Sequence, residues 1–139
     1  MTNFWTMKTF KDWADEFISK EEIGLDEKGV DKNYLEYNHD NSVIDNKRIL
    51  RRFDQFCKWA SVGDYVIVGT GQTTKFNAKI IGIITSDYTF DPSRQTYRHI
   101  RKIDILKIYD EPVEIEKWGQ IQRIELVNKN DFIETLIKC

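Results

Sequence analysis

The residues with types and spacing suited to chemistry crowd into one stretch, Ser86 to Lys102 (SDYTFDPSRQTYRHIRK). Tyr88, Phe90 and Tyr97 offer rings, and Ser86 and Asp87 offer polar edges. Arg94, Arg98, Arg101 and Lys102 offer cations. Stacking surfaces, hydrogen-bonding edges and cations for phosphates are what contact with a nucleic acid requires. Each base stacked on a ring is worth about 1–3 kcal/mol. From Arg94 to Lys107 the basic residues Arg94, Arg98, Arg101, Lys102 and Lys107 outnumber the acidic Asp104, in a chain whose formal net charge is -2. Successive strand residues point to opposite faces, so Arg98, His99, Arg101 and Lys102 cannot form one surface. The competing reading is structural. Phe90-Asp91-Pro92-Ser93 is an ordinary turn sequence under which Tyr88 and Phe90 pack. His99 reads as a hydrogen-bonded structural residue and not as a general base.

Catalytic signatures are missing from the sequence. It contains no P-loop, no HExxH and no Ser-His-Asp spacing. Cys57, Cys139, His39 and His99 are too scattered for a zinc site or a disulfide framework, so no metal and no cofactor is expected. Cys57 reads as a small buried hydrophobe. Asp104, Asp110, Glu111, Glu114 and Glu116 form a carboxylate-rich stretch best read as a solvated face. The expectation is a protein that is not an enzyme. A second basic group, Arg48, Arg51, Arg52 and Lys58, sits on a helical pattern; it reads as a solvated outer face and not as a track for phosphates.

These residues need a scaffold, and the chain has the length for one domain over residues 1–139. Its 40% hydrophobic and 13% aromatic content indicates a folded globule. The N-terminus lacks a signal-peptide pattern and no apolar run is long enough for a bilayer, so a cytoplasmic location away from membranes is expected. Asn3–Lys8 reads as a strand. Lys11–Ser19 has helical spacing, with Thr9 as N-cap and Asp12 as its capping-box partner. Glu22–Leu25 reads as a second strand. Asp26–Asp45 reads as a long loop with one helical turn around Tyr34–Tyr37. Lys47–Trp59 returns to helical spacing, with Ile49, Leu50, Phe53, Phe56, Cys57 and Ala60 on its apolar side. Tyr65–Val68, Asn77–Ser86, Tyr97–Tyr109 and Gln122–Val127 read as strands, with a bulge or close backbone approach at Gly82. Val113–Ile115 is ambiguous, and Asn130–Lys138 reads as a last helix. Trp13 and Trp59 fall on apolar helix sides and are expected in the core. One of Phe4 and Trp5 should face inward, and Trp118 has no clear place. The pattern favours an antiparallel, barrel-like sheet over a parallel one.

Three stretches together carry a family resemblance: NFWTMK with DWADEFISKEEIGLDE, then ASVGDYVIVGTG, then GIITSDYTFDPSRQTYRHIRKIDIL. In this order they resemble the PUA-like domains of the EVE and YTH group, above all those at the N-termini of McrB-type modification-dependent restriction proteins. The resemblance implies an α+β fold, a curved antiparallel or mixed β-barrel flanked by about three helices. It implies a pocket that takes one turned-out, often methylated base. Trp5, Thr9, Leu25, Ser86, Asp87, Tyr88, Phe90 and Ile105 would line that pocket, and Arg94, Tyr97, Arg98, Arg101 and Lys102 would hold the backbone. Leu25 and Ile105 stand where the family often has tryptophan, which removes two rings from an aromatic cage. The expected partner is modified DNA, with RNA as the alternative. A GTP-dependent motor and a nuclease subunit would lie outside this chain, which would be an excised domain or a stand-alone reader. A third reading is a protein-interaction or assembly domain.

Overall fold

A computed structural model describes residues 3–37, 46–71, 76–114 and 124–127, the last four by their backbone alone. The strands are β1 (Phe4–Lys8), β2 (Glu22–Leu25), β3 (Tyr65–Thr70), β4 (Asn77–Ile84), β5 (Thr89–Phe90), β6 (His99–Glu114) and β7 (Ile124–Val127). The helices are α1 (Lys11–Lys20) and α2 (Lys47–Phe53). A 3-10 turn covers Tyr34–Glu36, and a π-helical segment, Asp54–Trp59, continues α2. The strands form one sheet in the order β2-β6-β4-β3-β1-β7, with β5 also paired to β6. Only the β1–β3 pair is parallel among the described strands. The sheet curls into a half-barrel against the helices, which is the α+β, mixed-sheet fold expected from the sequence.

The curl has a local cause in β6. This strand serves β2 and β5 with its first residues and β4 with the remainder. Its register with β4 shifts between Ala78 and Ile80, and again between Ile81 and Gly82. Bulges of this kind bend a strand and increase its twist. A Cβ on Gly82 would stand 3.0 Å from the Ile103 side chain and 3.1 Å from the Asp104 carbonyl oxygen, so the close approach expected there is present.

The main core joins Trp5 and Met7 of β1, Phe17 of α1, Ile23 and Leu25 of β2, Phe53 and Phe56 of the second helix, and Ile80 and Ile84 of β4. A smaller cluster, Ile67, Phe76, Ala78 and Tyr109, lies apart from it. Trp5 is the inward member of the Phe4/Trp5 pair; Phe4 stacks on Tyr65 at 5.0 Å.

Three expectations change. Thr9 does not cap α1: Phe10 occupies the cap position without a side-chain bond, and the Thr9 N–H donates to the Gly69 carbonyl. Tying the end of β1 to β3 takes precedence over capping. Trp59 is 51% exposed and not in the core. The Ala60 N–H donates to the Gln55 carbonyl, a π-type bond that widens the turn and changes which residues face inward. Gln55 is buried in consequence, while Trp59 is turned out. The ambiguous Val113 belongs to β6, which runs on to Glu114. The expected last helix at Asn130–Lys138, together with Trp118, His39 and Cys139, lies outside the described residues.

Candidate nucleic-acid interface

All four cations proposed for phosphates are held by acceptors of this chain at close range. Arg98 on the approach to β6 grips Asp26 with two nitrogens, Nε to Oδ2 at 2.8 Å and Nη2 to Oδ1 at 2.7 Å. Its Nη2 also reaches Asp31 at 2.9 Å. Arg94 forms a two-pronged pair with Glu22, at 2.5 and 3.1 Å, and also meets Asp91. Burial alone would raise the Glu22 carboxyl, whose side chain is fully covered. Hydrogen bonds from Arg94 and Lys102 outweigh this and hold it below the usual carboxylate range.

Arg101 is buried. Its Nη1 donates to the carbonyls of Phe56 (3.0 Å) and Ala60 (2.7 Å), and its Nε donates to Ser86 (2.9 Å). The first two carbonyls lie at the C-terminal end of the π segment, where a helix carries partial negative charge. Burial pushes this guanidinium below its ordinary value, and the neighbouring Cys57, Asp87 and Asp64 act in the opposite direction. Lys102 stays exposed while its Nζ contacts Glu22 at 2.9 Å. Tyr97 is fully buried between α1 and β2, with Trp13 and Phe17 edge-on to its ring. Tyr97 and Arg101 therefore have no face turned to a strand at the surface, because packing and carbonyl bonding have taken them inside.

The proposed pocket residues divide in the same way. Trp5, Thr9, Leu25 and Tyr88 are buried, whereas Ser86, Phe90 and Ile105 are half-buried and Asp87 is exposed. Trp5 donates its indole N–H to Asp64 Oδ2 at 3.0 Å. Burial alone would raise the Asp64 carboxyl; the N–H groups of Ser61 and Asn3 and the Trp5 indole overcome this and lower it. The Gly-Asp preceding β3 is thus a clamp on β1. The Ser86–Tyr88 loop bulges out between β4 and β5, beside Arg101 and Lys102. Ser86 Oγ accepts the Lys102 N–H at 2.8 Å.

His99 is the centre of a buried chain of bonds. The Tyr34 N–H donates to Tyr88 Oη (2.9 Å), which lies 2.6 Å from His99 Nδ1. His99 Nε2 lies 2.9 Å from the Val30 carbonyl. A carbonyl can only accept, so Nε2 carries the proton and Nδ1 accepts from the tyrosine. This chain fastens the long loop, through Val30 and Tyr34, to the sheet. Burial lowers the His99 pKa, while the bond to Val30 works against that. A proton on Nδ1 would leave two donors facing the tyrosine oxygen, which already accepts from Tyr34. Because the folded pKa is depressed, the unfolded chain takes up the proton first as pH falls below about 6.5. The stabilisation is complete above that pH and is lost on acidification. The thermal midpoint should fall between pH 7.5 and 5.5 and fall less in a His99→Gln variant; equal slopes for the two proteins would refute the arrangement.

The buried Cys57 thiol is pushed well above its ordinary value, first by burial, so its nucleophilicity is suppressed. Among the described residues no group of three or more His, Cys, Asp or Glu side chains could hold a metal ion, and no helix is long and apolar enough to cross a membrane. The sequence reading placed Trp59 in the core and took the basic group of α2 as a solvated outer face. Lys47, Arg48 and Arg51 are exposed and form no ion pair among the described residues, whereas Arg52 meets Glu27 at 2.7 Å and Lys58 meets Asp54 at 3.6 Å. Spacing had marked the arginines; only their pairing partners separate the free from the occupied.

Among solved structures, a hypothetical protein from Leishmania major aligns with a TM-score of 0.60 at 12% identity, covering 99% of this chain and 94% of that one. The YTH domain of the Zygosaccharomyces rouxii MRB1 protein, crystallised in complex with N6-methyladenosine RNA, aligns with a TM-score of 0.54 at 11% identity, covering 99% and 85%. At such identities the likeness is one of fold, and that fold is the YTH-like one expected from the sequence. No curated protein matches the chain. Residues 11–126 match the model of a family described as a domain of unknown function, DUF8426, and the chain belongs to that family.

Proposed function

We propose that this domain is a non-catalytic reader that binds a nucleic-acid strand and accommodates one turned-out, modified base beside the Ser86–Phe90 loop. The observation that supports it is the fold shared, over nearly the whole chain, with a YTH domain solved in complex with N6-methyladenosine RNA. Among the residues proposed for the pocket, Ser86, Asp87, Phe90 and Ile105 keep surface, and Asp87 offers an acceptor for a base's edge. RNA is the first ligand to test because the solved relative of this fold holds RNA. The DNA reading, a specificity module working with a GTP-dependent motor and a nuclease, rests on the sequence resemblance to McrB-type domains. One titration series separates them: the full chain against single-stranded RNA with and without N6-methyladenosine, and against matched DNA with and without a methylated base. Burying one methyl group is worth about 0.8 kcal/mol. The modified RNA should therefore bind about fourfold tighter or better than its unmodified twin. A preference for methylated DNA would move the assignment to the DNA reading. Equal affinity for every strand would remove base reading altogether.

A further inference from the structure

The second helix holds charge in a way that the fold does not use. On α2, Arg51 stands four residues after Lys47 and three after Arg48; all three are exposed and, among the described residues, free of ion pairs, with no acidic residue in the first turn. Like charges at these spacings repel, and cations in a first helical turn oppose the helix dipole. Arg94, Arg98 and Arg52, by contrast, each hold a carboxylate. The same continuous element, Lys47–Trp59, ends in Trp59, whose ring is half in solvent with exposed Val62 close behind it in sequence. A π segment interrupts the element between the cations and the ring. Such segments are frequent at functional sites, and this one turns Trp59 outward. Arg51 and Trp59 are eight residues apart, about 12 Å along a helix axis.

We infer that the outer face of Lys47–Trp59 is the docking track for single-stranded RNA, with Lys47, Arg48 and Arg51 on its phosphates and Trp59 as a stacking platform for one base. This rests on the reader assignment and moves the backbone contacts away from Arg94–Lys102, which the fold has consumed. A single strand is the occupant because an unstacked base has a free π-face for Trp59 and its phosphates match the three unpaired cations. The Arg101 bonds to Phe56, Ala60 and Ser86 bring the end of this element beside the Ser86 loop, so a strand held on the helix can deliver its next base there.

The test uses the full chain and short fluorescent RNA strands, with and without N6-methyladenosine, titrated at several salt concentrations. Replacing Lys47, Arg48 and Arg51 together by alanine should lower the log–log salt slope by about 2 and weaken binding about 30- to 100-fold at 0.1 M salt, equally for both strands. Trp59→Ala should weaken binding about 5- to 150-fold without changing the slope, and Trp59→Phe should restore most of it. Removing the same charge elsewhere, at Lys11, Lys28 and Lys32, should change little. Unchanged affinity and slope in the triple variant, while the wild-type protein still prefers the modified strand, would overturn the track and leave the reader assignment standing. Loss of affinity in the variants without any preference in the wild type would support the track and remove base reading. A wild-type protein that binds no RNA strand, or that binds DNA with the α2 cations uninvolved, would also overturn the track.

Discussion

Replacing Gly24 by alanine should unfold this domain or bring it close to unfolding. A Cβ at that position would stand 1.8 Å from Cδ2, 2.3 Å from Cγ and 2.4 Å from Cε2 of the Tyr97 ring. Separations of that size are full atomic overlap, so either the ring or the strand must move. The ring has nowhere to go: it is fully buried, Trp13 and Phe17 press on it at 5.5 and 5.0 Å, and the Arg94 guanidinium lies over it at 5.9 Å. The strand is also held, since Gly24 pairs with Ile100 and its neighbours are buried. Overpacking ordinarily costs about 1–3 kcal/mol, and a site with no room to relax lies above that range. Urea unfolding of Gly24→Ala measures the loss. Truncating Tyr97 to alanine would itself cost about 3–5 kcal/mol through the cavity left behind. In that background the added methyl should be nearly harmless, and the difference between the two backgrounds measures the contact. A Gly24→Ala protein within about 1 kcal/mol of wild type would contradict this packing.

Arg101→Met should cost about 3–5 kcal/mol, and the loss should come from oxygens and not from the charge. Methionine fills much of the space but donates nothing, so the carbonyls of Phe56, Ala60 and Ser86 lose their donor together. Each buried acceptor left unsatisfied costs about 1–3 kcal/mol. Arg101→Lys keeps the charge but cannot span the helix end and the loop with a planar fork, so it should recover only part of the loss. The measurement is equilibrium unfolding, read beside hydrogen exchange of the Ser86–Tyr88 loop, which should open in both variants. Full stability in Arg101→Met would show that water replaces the guanidinium. Charge reversals at Arg98 or Arg101 therefore report on folding before they report on nucleic-acid binding.

Much of the scaffold is legible from period and punctuation. The alternation in Phe4–Lys8, the helical spacing of Lys11–Lys20 and the β-branched run at Tyr65–Val68 declare their elements through neighbours in the chain. Gly82 announces its close approach because a glycine within a strand has few other reasons to be there. The site was less legible. Asp26, 72 residues from Arg98, and Glu22, 72 residues from Arg94, leave no mark beside the arginines they neutralise. Trp59 misled for a related reason: a helical wheel assumes a uniform turn, and the π bond from Ala60 to Gln55 breaks it.

The sequence by itself determined the strand-and-helix order, an inward place for one of Phe4 and Trp5, and the concentration of rings and cations between Ser86 and Lys102. Those properties follow from local side-chain volume, polarity and backbone preference. Only the tertiary structure decided which cations remain free. Whether an arginine meets water or a carboxylate depends on where distant strands place their acids. That arrangement turns Arg94, Arg98 and Arg101 into internal fasteners and leaves Lys47, Arg48 and Arg51, with Trp59, facing outward.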